Sequence, residues 1–150
     1  MPDRKTLERA AKDKREGKAP TTQAGEFVRE EIEHIREGEH GARSTEQAIA
    51  IGLSKARRAG VKLPPPKKGT TSSATRKRAE RDYEGGKKAS KRTSTRRAKA
   101  TKRALKRESR AAASRTALSK HAKKVARTRS ASSRSAAARK AARTRARKRR

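Results

Sequence analysis

The chain has 150 residues, 29% of them hydrophobic and 1% aromatic, with 47 Lys and Arg against 15 Asp and Glu for a formal net charge of +32. So little apolar content excludes one core running through the whole chain, and a charge this lopsided opposes compaction and calls for a polyanionic partner. Cysteine is absent, which excludes disulfides, cysteine-based zinc sites and thiol nucleophiles.

The charge divides unevenly along the chain: net +5 over residues 1–70 and net +27 over 71–150, with the boundary near "LPPPKKGTTSS". No apolar run approaches the roughly 18 residues of a membrane span, and "MPDRKTLERAAKDKREG" lacks the apolar stretch of a signal peptide. The expectation is a cytoplasmic, nucleoid-associated protein with no membrane partner.

In chain order, residues 1–20 read as a charged N-terminal helix or arm. Asp3 to Glu16 has only Leu7 and alanines as apolar content, stops at Gly17 and Pro20, and shows no face suited to docking. Residues 21–63 form the head. Thr21 or Thr22 caps a helix in which Ala24, Val28, Ile32 and Ile35 recur at spacings of four, four and three, with Phe27 beside them. Gly38 ends it. Ser44 and Gln47 fit a capping box for the next helix, and Ala48, Gly52 and Ala56 make a stripe of small residues flanked by Ile49 and Leu53. Glycine inside a helix costs about 1 kcal/mol relative to alanine, so Gly52 implies close approach of the preceding helix. Gly60 stops this second helix, Val61 folds back on it and Pro64 prevents its resumption. The loop "GEHGAR" is short enough for an αα-hairpin.

The predicted head core is Phe27, Val28, Ile32, Ile35, Ile49, Gly52, Leu53, Ala56 and Val61. About eight apolar side chains at roughly 1.5–3 kcal/mol each only just oppose the ordering of about 40 residues. The hairpin is therefore expected to need a second copy, another helix or a partner. Residues 64–73 read as a Pro/Gly/Ser linker and 74–86 as a short charged helix.

The tail, residues 87–150, holds 27 basic residues, 17 Ala, 15 Ser or Thr and one acid, Glu108, with neither Pro nor Gly. The expected fold class is mostly α: a small αα-hairpin head, about 22–61, and a long basic low-complexity tail, disordered alone and able to become helical once phosphates neutralise it. Basic residues are expected on every face of any helix the tail forms. The candidate phosphate ligands are Arg96, Arg97, Lys99, Lys102, Arg103, Lys106, Arg107, Arg110, Arg115, Lys123, Lys124, Arg127, Arg129, Arg134, Arg139, Lys140, Arg143, Arg145, Arg147, Lys148, Arg149 and Arg150. Lys55, Arg57 and Arg58 of the head add further contacts. Serines beside arginines, such as Ser114, Ser130 and Ser133, would weaken binding if phosphorylated.

Phe27 and Tyr83 are the sole aromatic residues, so the stacking platforms of RNA-recognition and single-strand folds are missing. Sequence-independent binding of duplex DNA is the expected function, RNA binding or ribosome assembly the alternative. A third reading makes the head a protein-interaction module, self-associating or binding another protein, tethered to nucleic acid by the tail. Glu30, His34 and Glu37 share a helical face with His40 nearby, but no known ligand spacing is present and no metal is assigned. That acidic face could instead pair with the basic tail and compete with DNA, or simply be solvated. There is no Gly-rich phosphate loop and no distinct nucleophile grouping. Catalytic residues, cofactors and a small-molecule substrate are not expected, and the protein is read as a non-enzyme.

"TTQAGEFVREEIEHIREGEHGARSTEQAIAIGLSKARRAGVKLPPPKKG", residues 21–69, resembles a family of small basic bacterial proteins of unassigned function that share a QAIAIGLSKARRAG-type core. No site residue carries over from it. The tail resembles bacterial proteins likened to linker histones, which implies DNA compaction. It departs from the linker-histone pattern in lacking proline and in favouring Arg, 16 of the 27 basic residues; bidentate guanidinium contacts suit DNA and RNA phosphates alike.

Overall fold

The computed structural model describes residues 2–87 and 94–148. Among these the secondary structure is entirely helical: α1 (Arg4–Arg15), α2 (Pro20–Glu37), α3 (Thr45–Arg58), α4 (Ser73–Lys87), α5 (Thr95–Lys106), a 3-10 turn at Arg110–Ala113, α6 (Arg115–Thr128) and α7 (Ala131–Lys148). The chain divides into two compact units, residues 1–114 and residues 115–150.

In the first unit, α2 and α3 pack against each other and make the centre. A Cβ built on Gly52 would lie 2.6 Å from Val28 Cα and 3.0 Å from the Phe27 carbonyl oxygen, so the two backbones approach as only glycine allows. Around this crossing Ala24, Phe27, Ile35, Ala48 and Ala56 are almost wholly buried. The turn into α3 is tightly made. Ser44 Oγ accepts from the Gln47 amide at 3.2 Å. The Gln47 side chain accepts from the Arg43 amide at 2.7 Å, one residue earlier than the reciprocal bond of a standard capping box. α2 ends at Gly38 in the left-handed region, φ 86°. After α3 the chain returns, and Val61 and Leu63 close over Ala56 and Phe27.

The expected fold class does not hold. The head is larger than a hairpin, and the described residues of the expected tail form helices rather than a disordered segment. α1 docks on α2 despite its charge, burying Thr6, Ala10 and Asp13 at helical spacing while Leu7 stays exposed. Small and polar side chains do the packing here, and the Arg9 to Glu26 ion pair at 2.6 Å ties the two helices. α4 docks on α3 through buried Ala79 and through Asp82, which accepts from Ser54 Oγ at 2.6 Å and Arg58 Nε at 2.9 Å. Gly86 lies so close to the Arg57 carbonyl that a Cβ would collide with it.

The first part of the expected tail belongs to the same unit. The Gly41 amide donates to Leu105 O at 2.9 Å and the Ala42 amide to Ser109 O at 3.0 Å. Thr45 Oγ1 donates to Ala112 O at 2.7 Å, and Arg36 Nε to Ala113 O at 2.9 Å. Ala112 and Ala113 are buried. Gly41 has no room for a Cβ against the Glu108 carbonyl, so this loop glycine exists to admit a segment more than sixty residues away in the chain.

The second unit consists of α6 and α7 in succession. Ser130 Oγ caps the start of α7 by accepting from the Ser133 amide at 3.2 Å. Alanine and arginine are strong helix formers and neither Pro nor Gly interrupts them, which is the local reason for helix here.

Candidate nucleic-acid interface

Of the 22 candidate phosphate ligands, all those from Arg96 to Arg147 are exposed. The side chain of Lys148 and both residues Arg149 and Arg150 lie outside what the structure describes. Helical register gathers part of this charge into stripes. On α5, Lys99, Lys102, Arg103 and Lys106 recur at i, i+3, i+4 and i+7, a spacing that places them on one face. α6 repeats the pattern with Lys120, Lys123, Lys124 and Arg127, opposite Leu118, Ala122 and Val125. Arg97 on α5 and Arg115 on α6 fall on the opposite side from these stripes, so charge is denser on one face without being confined to it, and Lys120, missing from the candidates, belongs to the α6 stripe. The signal that identifies it is the spacing within α6, legible once the helix boundaries are known. Charge does surround α7, where Arg134, Arg139, Lys140, Arg143, Arg145 and Arg147 follow no single stripe.

The three head cations expected to assist are committed elsewhere. Lys55 Nζ lies 2.7 Å from Glu31 Oε2 and 3.2 Å from Glu30 Oε1. Burial pulls its ammonium pKa down, and the two carboxylates more than reverse this, leaving it above the ordinary lysine value. Arg57 is buried, donating from Nε to Leu63 O at 3.2 Å; desolvation holds its guanidinium below the ordinary value. Arg58 pairs with Asp82 at 2.9 Å.

The acidic face of α2 is likewise engaged inside the head. Glu26 pairs with Arg9, Glu33 with Arg29 at 2.9 Å, and Glu30 and Glu31 with Lys55. These contacts tie Glu26, Glu30 and Glu31 into the head, while Glu37 and Glu39 stay exposed. Of the head-core residues, Phe27, Ile32, Ile35, Gly52, Ala56 and Val61 are buried, while Val28, Ile49 and Leu53 are half-buried. Leu63, Ala10, Ala42, Ala79, Ala112 and Ala113 join the core without having been expected there. Phe27 is 1% exposed and cannot stack on a base.

Glu37 is exposed and stands apart from the remaining acids and histidines of the sequence cluster. Glu31, His34 and His40 come together instead, one ligand atom from each within 4.8 Å of the others; Asp3, Glu30 and His34 form a second such set.

These features define an all-helical polybasic protein, with a polar-packed head and exposed cationic helices. Residues 5–68 match the model of a family of unknown function (DUF6496), a stretch that takes in α2 and α3 whole, with nearly all of α1, and stops before α4. No curated protein and no solved structure matches the chain. Among the described residues no helix is long and apolar enough to cross a membrane.

Proposed function

We propose that the protein binds duplex DNA without sequence preference, as a histone-like, nucleoid-associated protein. The observation that carries this reading is residues 115–150: they hold 15 Lys and Arg and no Asp or Glu, and the basic side chains from Arg115 to Arg147 are exposed. Cations so placed displace condensed counterions from a phosphate backbone with little demand on geometry. The stripe of α5 adds four more cations. Phe27 is buried and Tyr83 is the one other aromatic residue of the sequence, which favours backbone contact over base reading.

The test is a salt titration of affinity. Engagement of about 10–15 phosphates predicts a slope of log affinity against log salt of roughly −9 to −13 on duplex DNA. Replacing Lys120, Lys123, Lys124 and Arg127 together by Gln is expected to flatten that slope by roughly 3–4. An affinity indifferent to salt sinks the proposal. Tighter binding of structured RNA than of duplex DNA at matched salt would move the reading to RNA binding or ribosome assembly.

A further inference from the structure

Glu31 is wholly buried and neither of its oxygens makes a well-aligned hydrogen bond, though their charged neighbours differ. Oε2 has the Lys55 ammonium at 2.7 Å. Oε1 makes no hydrogen bond and faces His40 Nε2 at 3.4 Å. A buried carboxylate oxygen without a partner is costly. The other nitrogen of the His40 ring explains the geometry. Nδ1 lies 3.1 Å from the Gly41 carbonyl oxygen, and because a carbonyl only accepts, Nδ1 carries the proton and donates. In neutral His40 the lone pair of Nε2 therefore points at a carboxylate oxygen, two acceptors with no proton between them. A metal-bound histidine has this arrangement, its far N–H fixed on a backbone carbonyl.

His34 joins them, with one ligand atom from each of Glu31, His34 and His40 lying within 4.8 Å of the others. Its own orientation is held by Asp3, whose Oδ2 is 3.3 Å from Nε2. We propose that Glu31, His34 and His40 form a binding site for a divalent transition-metal ion, Zn2+ in the first instance, with water as the fourth ligand. Two imidazoles and a carboxylate suit borderline cations over Mg2+ or Ca2+. Ligand atoms about 2.0–2.2 Å from a tetrahedral ion lie about 3.4 Å apart, which is the separation of Glu31 Oε1 from His40 Nε2. The surroundings favour a cation, since Asp3, Glu30 and Glu39 contribute negative charge against the single ammonium of Lys55. Glu31 can use Oε1 for the ion while keeping Lys55 on Oε2. The ion would fasten α2 to the loop whose Gly41 and Ala42 amides hold Leu105 and Ser109, stiffening the joint with α5.

The inference stands independently of nucleic-acid binding. The experiment titrates Zn2+, and Co2+ as a spectroscopic probe, into the full-length protein freed of nucleic acid and stripped with a chelator. One equivalent is expected to bind, Co2+ giving the intense visible bands of a tetrahedral site. Losing a residue that merely orients a ligand costs about 10- to 100-fold in affinity, so His40→Ala is expected to cost more than that. His121→Ala, in the other unit, is expected to cost nothing. Failure of the wild-type protein to bind Zn2+ overturns the proposal. So does unchanged binding by His40→Ala alongside loss of binding by Asp3→Asn, which would place the ion on the second set.

Discussion

Two glycines of the head show how one side chain is decided by its neighbours. Gly52 sits where a Cβ would lie 2.6 Å from the Val28 backbone, whereas Gly25, in the exposed face of α2, has nothing within 4 Å. Gly52→Ala gains about 1 kcal/mol of helix propensity and forces apart two backbones, an overpacking worth about 1–3 kcal/mol or more. We expect net destabilisation of about 1–2 kcal/mol, while Gly25→Ala stabilises by about 0.5–1 kcal/mol. Denaturant melts of the two variants check this, and equal effects of the same sign would contradict the close crossing. The need for a small residue at position 52 is legible in the sequence, because a helix-interior glycine within the Ala48 and Ala56 stripe has no local justification. The need at Gly41 is not, because the atoms it admits belong to Glu108.

At the scale of elements, α2 and α3 are held together by charge as well as by apolar contact. Glu30 and Glu31 are 2% and 0% exposed, and Lys55 alone reaches both. Lys55→Met preserves most of the aliphatic volume and leaves two buried carboxylates without their cation, a loss of about 3–5 kcal/mol for breaking a buried pair. Thermal unfolding at neutral pH measures it. A fall in stability smaller than about 1 kcal/mol would mean that water reaches the pair. In the sequence these same residues read as an acidic surface and a phosphate-seeking lysine. Their neighbours are about twenty-five residues apart in the chain, and no periodicity within one helix reports that they meet. α1 makes the same point: a helix without an apolar stripe docks by Thr6, Ala10 and an ion pair.

For the whole molecule, the division between the two compact units falls at Ser114, well beyond the Pro-rich stretch. Residues 105–113 supply the carbonyls that receive Gly41, Ala42, Thr45 and Arg36, so they stabilise the head. Truncation after Ser114 is expected to shift the melting temperature of the head by no more than about 2 °C. Truncation after Lys87 is expected to lower it by about 5 °C or more, through loss of four hydrogen bonds at about 1 kcal/mol each. Calorimetry of the two truncations decides between this boundary and one at residues 64–73. Equal melting temperatures would remove the 3-10 turn from the head.

Sequence alone determined what depends on near neighbours and on totals. The net charge of +32 and the exclusion of cysteine chemistry are sums over the chain. The Ser44 cap, the Gly38 stop and the two central helices follow from residues within a few positions of one another. Helix in the basic segments was also within reach, since Ala and Arg favour it, but repulsion at that charge density argued against it. Tertiary structure decided which charges are spent and which remain. Pairing depends on partners distant in the chain: Arg58 on Asp82, Lys55 on Glu31. The turn after α2 brings His40 Nε2 to 3.4 Å from Glu31 Oε1, a pairing that helical spacing within α2 does not report because His40 lies beyond the helix end.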